Sequence, residues 1–249
     1  MFIAERLRDV KQVIKPPFTA LLLYGSHARG DDEETSDVDV LQVTPTHSPP
    51  YSVGHVNVTC YTIEQLLRIA RRGGLFARHI IEEALPISDP QDVLGTMKAA
   101  YVPPLNYLGV KREVCDCAPL LDVLEPEFNE NAGGLSSLAS YLIRTYLYAS
   151  AFDQGARSFA MRHVLDELGQ HWAGAVLSNV RSQRSFPAFA AACTLFEELT
   201  GTICRRTECS LEAFIVNASA HNELGMVLGL RLLARGRPFT YDALNGVEL

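Results

Sequence analysis

Between Leu21 and Val43 the sequence reads LLLYGSHARGDDEETSDVDVLQV, and this stretch constrains the fold more than any other. Phe18 to Tyr24 is a short apolar run suited to a buried strand. Gly25-Ser26 breaks it. After ten intervening residues, Asp37-Val38-Asp39 opens a second strand, and Val38 to Val43 alternates apolar and polar residues. On a strand, residues i and i+2 point to one face, so Asp37 and Asp39 aim their carboxylates at one point. Two such groups are hard oxygen ligands suited to Mg²⁺. Gly25 lets the backbone approach a phosphate closely, and the Ser26 hydroxyl and nearby N–H groups can hydrogen-bond it. A phosphate cradle beside paired carboxylates is equipment for metal-assisted nucleotidyl transfer.

The bland alternative is a surface turn followed by an edge strand with exposed Asp. With this composition, G-S-x10-D-x-D arises by chance in about 0.002 chains of this length. Asp on a strand is also locally costly without a function.

The segment resembles the DNA polymerase β-like nucleotidyltransferase superfamily. Its minimal and kanamycin-nucleotidyltransferase-like members share the pattern G-S-x-A-R-G-x5-S-D-x-D. Gly25, Ser26, Ala28, Arg29, Gly30, Ser36, Asp37 and Asp39 match every fixed position. Gly73 to Asp89 (GGLFARHIIEEALPISD) looks like the stretch that follows the sheet in many bacterial members. The resemblance spans residues 18–90. It implies a small mixed sheet, Mg²⁺, an NTP donor (ATP first among them) and transfer of NMP to a hydroxyl or phosphate. It implies nucleotide binding by Gly25, Ser26, Arg29 and Ser36, and metal binding and catalysis by Asp37 and Asp39. Arg29 reads either as a triphosphate clamp or as a solvated arginine.

One departure stands out. The family places a third carboxylate on the following strand, where it activates the attacking group. Here that strand, read as Val53–Thr62, carries Asn57 and Thr59 on the face of Tyr61, and neither is acidic. Neutral Asn accepts no proton at pH 7 and is a weak metal ligand. Either Glu64, Glu82 or Glu83 fills the role, or the acceptor brings its own anion, or the domain binds nucleotide without efficient catalysis.

Around this core, residues 3–15 show helical periodicity and stop at Pro16-Pro17. Glu64–Arg72 and Leu75–Ala84 read as helices, and Ser88-Asp89-Pro90 as the start of another. His79 and Glu83 stand at i, i+4 on one helix face. Asp31 to Glu34 reads as an exposed acidic loop that disfavours a nucleic-acid acceptor. Pro103-Pro104 is the best boundary. Beyond it no strand pattern is found, and residues 135–152, 157–168, 187–199 and 210–235 read as helices. Tyr141, Tyr146, Tyr148 and Phe152 read as bundle core. Arg157-x5-His163 fits the R-x4–6-H pattern of helical HEPN ribonucleases, at a spacing that chance readily supplies here. The expected fold class is α+β: a small mixed-sheet nucleotidyltransferase domain over residues 1–104, then an all-helical bundle over 105–249 that selects the acceptor or a partner.

Charge and cysteine usage bound the partners. Residues 1–104 carry 10 Lys/Arg against 13 Asp/Glu, and residues 105–249 carry 12 against 16. Neither half has the basic character of bulk DNA binding. The six cysteines lack paired zinc spacing and read as inert thiols. No run approaches ~18 apolar residues and no signal-peptide pattern opens the chain, so a cytoplasmic protein with no membrane partner is expected. The expected ligands are an NTP and an acceptor of undetermined class: small molecule, protein or RNA end. A protein partner or a homodimer is open. Two alternatives accompany the enzyme reading. One is a catalytically weak, antitoxin-like nucleotide-binding module that docks a partner protein. The other is an aminoglycoside adenylyltransferase-like resistance enzyme.

Overall fold

The computed structural model describes residue 10 and residues 12–32, 36–208 and 210–234. The chain divides into two compact units, Met1–Leu105 and Asn106–Leu249. The first holds a mixed sheet with helices. The second is helical, with no strand among its described residues. The α+β class expected from the sequence is therefore the observed one.

In the first unit, β1 (Ala20–Tyr24) leads into a single helical turn, α1 (Ser26–Arg29). β2 (Val38–Val43), β3 (Tyr51–Val53) and β4 (Val56–Tyr61) follow, then α2 (Ile63–Arg71), α3 (Leu75–Glu83), β5 (Leu85–Ser88) and α4 (Val93–Ala100). The sheet order is β3-β4-β2-β1-β5. β1 runs antiparallel to β2 and β5, β2 runs parallel to β4, and β3 closes a hairpin on β4. β1 is paired along both edges and buried at all five positions, which is why its sequence is an unbroken apolar run.

The two faces have different partners. Leu21, Leu23, Val38, Val40, Val56, Val58 and Cys60 pack with Val10, Val13 and Ile14. On the other face the rings of Tyr24 and Tyr61 lie against Phe76 of α3, at centroid distances of 5.8 and 5.5 Å. α2 starts at a capping box in which Thr62 and Gln65 exchange side-chain and main-chain bonds.

Three details differ from the sequence reading, and a fourth lies largely beyond the described residues. The strand expected over 53–62 is two strands. Gly54, at φ 58°, opens the two-residue turn that folds β3 onto β4, so that Val53 pairs with Val56 across the hairpin. β5 was not expected, because LPIS is short and contains Pro; as an edge strand it tolerates that residue. The helix signal at Ser88-Asp89-Pro90 is displaced: α4 begins at Val93, capped by Asp92, while Asp89 accepts hydrogen bonds from the amides of Val93 and Leu94. Most of the helix expected over 3–15 lies outside the described residues, within which Val10, Gln12 and Val13 are helical.

The helical unit comprises α5 (Leu108–Cys115), a 3₁₀ turn (Ala118–Leu121), α6 (Glu125–Glu130), α7 (Ala132–Asp153), α8 (Met161–Leu168), α9 (His171–Gln183), α10 (Phe186–Thr200), α11 (Leu211–Ala218) and α12 (Glu223–Leu233). α7 is the hub, packing against α5, α8, α9 and α10. Tyr141, Tyr148 and Phe152 are buried on it, as core residues should be, and Tyr146 is half-buried. The helix expected over 210–235 is broken between α11 and α12. There the Asn222 side chain accepts from the Gly225 amide and donates to the Asp116 carbonyl. The helix expected from residue 157 starts at Met161. Arg157 and His163 are both exposed.

Candidate functional site

The motif residues cluster where β1 ends and β2 begins. Gly25 has φ 76° and ψ −154°, a conformation open essentially to glycine alone. A Cβ there would lie 2.7 Å from Asp39 Oδ2. The missing side chain thus lets the Asp39 carboxylate sit directly against the main chain of the turn. α1 follows, its amides at Ala28 and Arg29 bonded to the Gly25 carbonyl and those at Gly30 and Asp31 to the Ser26 carbonyl. Ser26 is half-buried at the head of this turn.

Asp39 is the second residue of β2 and partly buried; Asp37 stands one residue before the strand and is exposed. Across the sheet Asp39 pairs with Tyr24 on β1 and with Asn57 on β4. Ser52 on β3 pairs with Asn57 and donates a 2.8 Å hydrogen bond to its Oδ1. Tyr24, Asp39, Asn57 and Ser52 therefore form one row across four strands. The position beside Asp39 is a neutral amide. Thr59 pairs with Leu41 one step further in, is 2% exposed, and its Oγ1 lies 3.1 Å from the Tyr24 hydroxyl.

The loop between α1 and β2 is held by its own charges. His27, a buried residue that the sequence reading passed over, faces Asp32 Oδ2 at 3.1 Å through Nδ1 and the Ser36 carbonyl at 3.3 Å through Nε2. Ser36 thus contributes its main chain to the loop. Arg29 donates from Nε to Asp31 Oδ1 at 3.1 Å and from Nη1 to Glu83 Oε2 at 2.7 Å. Burial works against the Arg29 charge, but the hydrogen bonds and negative charges of Glu83 and Asp31 outweigh it and raise its pKa. Arg29 is therefore not a solvated arginine. Asp31 and Asp32 are half-buried and paired rather than exposed; Glu33 and Glu34 lie outside the described residues.

The three glutamates considered for the missing carboxylate are placed differently from one another. Glu64 is exposed in the first turn of α2. Glu82 pairs with Arg78 at 2.8 Å on an exposed face. Glu83, with 7% of its side chain exposed, faces both Arg29 and His79 Nε2, the latter at 3.0 Å. Among the described residues no group of three or more His, Cys, Asp or Glu side chains is arranged to hold a metal. A Mg²⁺ ion that arrives with a nucleotide needs no such cage: it is bound through one or two carboxylates, with phosphate oxygens and water completing its shell. Asp37 and Asp39 fit that donor set.

Fold and motif together resemble those of a nucleotidyltransferase domain. Residues 7–81 match the family described as nucleotidyltransferase domain, so the resemblance to the polymerase β-like superfamily holds over β1 to β4, the turn and both aspartates. The chain is also 46% identical over 39 residues to the "Putative protein adenylyltransferase" of Methanocaldococcus jannaschii. That stretch spans 16% of this chain and 39% of the relative. No helix among the described residues is long and apolar enough to cross a membrane.

Proposed function

We propose that the N-terminal unit moves an NMP, AMP foremost, from an Mg²⁺-bound NTP to an acceptor. The reaction is attack of an acceptor oxygen on the α-phosphorus: the new P–O bond forms, the bond to the β-phosphate oxygen breaks, and pyrophosphate leaves. The observation that carries this reading is the Gly25 main chain pressed against the Asp39 carboxylate, with Asp37 two residues before it. Asp37 and Asp39 would hold the metal, which when bound neutralises charge on the reacting phosphate. The Ser26 hydroxyl and the amides of Ser26 and His27, which head the turn, would receive phosphate oxygens. Ser36 would add its hydroxyl, and Arg29 its remaining N–H donors. The match to a protein adenylyltransferase makes ATP the first donor and a protein hydroxyl the first acceptor to test. The helical unit would choose that acceptor or dock a partner.

A second reading rests on Asn57. A neutral amide beside Asp39, already accepting from Ser52, offers no base for a hydroxyl acceptor. A nucleotide-binding module of low turnover, or an enzyme whose acceptor is itself an anion, fits that arrangement.

One assay separates these readings. Nucleotide binding is measured by calorimetry with and without Mg²⁺, then pyrophosphate release with candidate acceptors. Asp39→Asn and Asp37→Asn should each cut Mg²⁺-dependent ATP binding at least tenfold while leaving the fold intact. Mg²⁺-dependent binding that persists in the double variant refutes the assignment. Binding without pyrophosphate release across hydroxyl, phosphate and carboxylate acceptors favours the binding module.

A further inference from the structure

Two parts of the chain that lie 54 residues apart meet at one buried oxygen. Glu83 is the last residue of α3, and Arg29 is the last residue of α1. Glu83 Oε2 accepts from Arg29 Nη1 at 2.7 Å and lies 3.0 Å from His79 Nε2. The His79 ring stands edge-on to Tyr24, at 5.4 Å and 88°. Tyr24 immediately precedes Gly25, and Arg29 immediately precedes Gly30. The same carboxylate therefore bears on both ends of the Gly25–Gly30 turn, on its exit through Arg29 and on its entrance through His79 and Tyr24.

Resting on the nucleotidyl-transfer reading above, we propose that Glu83 is a positioning residue for this turn, acting through Arg29 rather than touching the nucleotide. Its burial supports this. Only 7% of the Glu83 side chain and 18% of that of Arg29 reach solvent, so the pair is far less screened than a surface pair. Removing one partner would leave a buried charge uncompensated, which is why the two act as a unit. Two of the five N–H donors of Arg29 go to carboxylates, so its fork is fixed in place before any phosphate arrives. An oxygen held by a cation and facing a histidine is also a poorer base than a free carboxylate, which sets Glu83 Oε2 apart from the exposed Glu64.

The test is Glu83→Gln, which keeps the shape and an acceptor oxygen and removes the charge. Arg29→Lys and the double variant complete a cycle. The first readout needs no nucleotide: hydrogen exchange of the Ala28, Arg29, Gly30 and Asp31 amides, all bonded inside the turn. Glu83→Gln should speed their exchange about tenfold and leave the β2 and β4 amides unchanged. The second readout is ATP affinity and turnover, at a temperature where circular dichroism shows every variant folded. Affinity should fall about tenfold in each single variant, and the double variant should be no worse than the worse single one. Unchanged exchange in the turn overturns the proposal, as do losses that multiply in the double variant. A wild-type protein that ignores Mg²⁺-ATP, in which Glu83→Gln still loosens the turn, defeats the transfer reading and leaves the positioning role standing.

Discussion

Replacing Gly25 with alanine isolates the one backbone position on which the candidate site depends. Two costs follow from its geometry. The conformation, φ 76° and ψ −154°, lies in a region essentially reserved for glycine, with a penalty of about 1–3 kcal/mol for any other residue. The added Cβ would then lie 2.7 Å from Asp39 Oδ2, so the carboxylate must turn away. Alanine recovers about 0.4–1 kcal/mol by restricting the unfolded chain. The net loss should be about 2 kcal/mol, together with a displaced Asp39. Gly30 supplies the control. It has φ 76° and ψ 24°, and nothing lies within 4 Å of a Cβ there, so Gly30→Ala carries backbone strain without the collision. Its net cost should stay under about 1 kcal/mol. The only tryptophan, Trp172, belongs to the helical unit, so tryptophan fluorescence would follow the wrong part of the chain. Hydrogen exchange of the most protected β1 and β2 amides in a urea series reports on the sheet itself. Gly25→Ala should lower its midpoint by about 1 M at a slope of about 2 kcal/mol/M. It should also weaken Mg²⁺-dependent ATP binding, which Gly30→Ala should spare to within a few-fold. If Gly25→Ala matches Gly30→Ala in both measurements, the contact between Gly25 and Asp39 does not organise the site.

Two further predictions concern polar groups, one in each unit. Tyr24→Phe removes the hydroxyl beside Thr59 Oγ1 in a 2%-exposed position, and should destabilise the sheet by about 1–2 kcal/mol in the same exchange experiment. In the helical unit, Glu113 has much of its side chain open to solvent, yet partial burial of its carboxyl, then the charges of Glu223 and Asp116, hold its pKa above the ordinary 4.5. A carboxyl raised in the folded state lends stability below the unfolded pKa and loses it as pH climbs through the folded value. Glu113→Gln should therefore gain on the wild type as pH rises above 4.5, and an unfolding midpoint difference that is flat between pH 4 and pH 7 would contradict that coupling.

What could be read from the sequence was what depends on neighbours in the chain. Asp37 and Asp39 are two residues apart, and the Gly25-Ser26 turn joins two apolar runs, so strand periodicity alone placed them together. The face of β4 that carries Asn57 followed from the same alternation, and the parallel pairing with β2 brings that residue to the side of Asp39. The rest depends on distant contacts. The bond between Arg29 and Glu83 closes over 54 residues, and no local pattern distinguishes a solvated arginine from one held by a buried carboxylate. His27 carries no periodic signal, since it sits in a helical turn of four residues. Asp31 and Asp32 looked like part of an exposed acidic run because nothing in the local pattern marks Arg29 and His27, inside the motif itself, as their partners. β5 escaped notice for a related reason: its pairing with β1, not its composition, makes LPIS a strand.

The pairing of Asp31 and Asp32 changes the electrostatics of the site. Asp31 is paired with Arg29 and Asp32 faces His27 Nδ1, so the carboxylates of Asp37 and Asp39 stand in a less acidic field than the DDEE run suggests. Asn57 adds no charge beside Asp39. Asn57→Asp should then act as a reporter of the metal. Aspartate keeps an acceptor for the Ser52 hydroxyl, so the row across β3 and β4 survives. Without a divalent cation, two carboxylates on neighbouring strands repel, at a cost of up to about 1 kcal/mol. A Mg²⁺ ion held by Asp39 would gain the new carboxylate as a further ligand, and the sign would reverse. The variant should be less stable than the wild type in EDTA, gain more from millimolar Mg²⁺, and bind Mg²⁺-ATP more tightly. If Mg²⁺ shifts the unfolding midpoints of the two proteins equally, the metal does not sit beside Asp39, and the row formed by Tyr24, Asp39, Asn57 and Ser52 is structural.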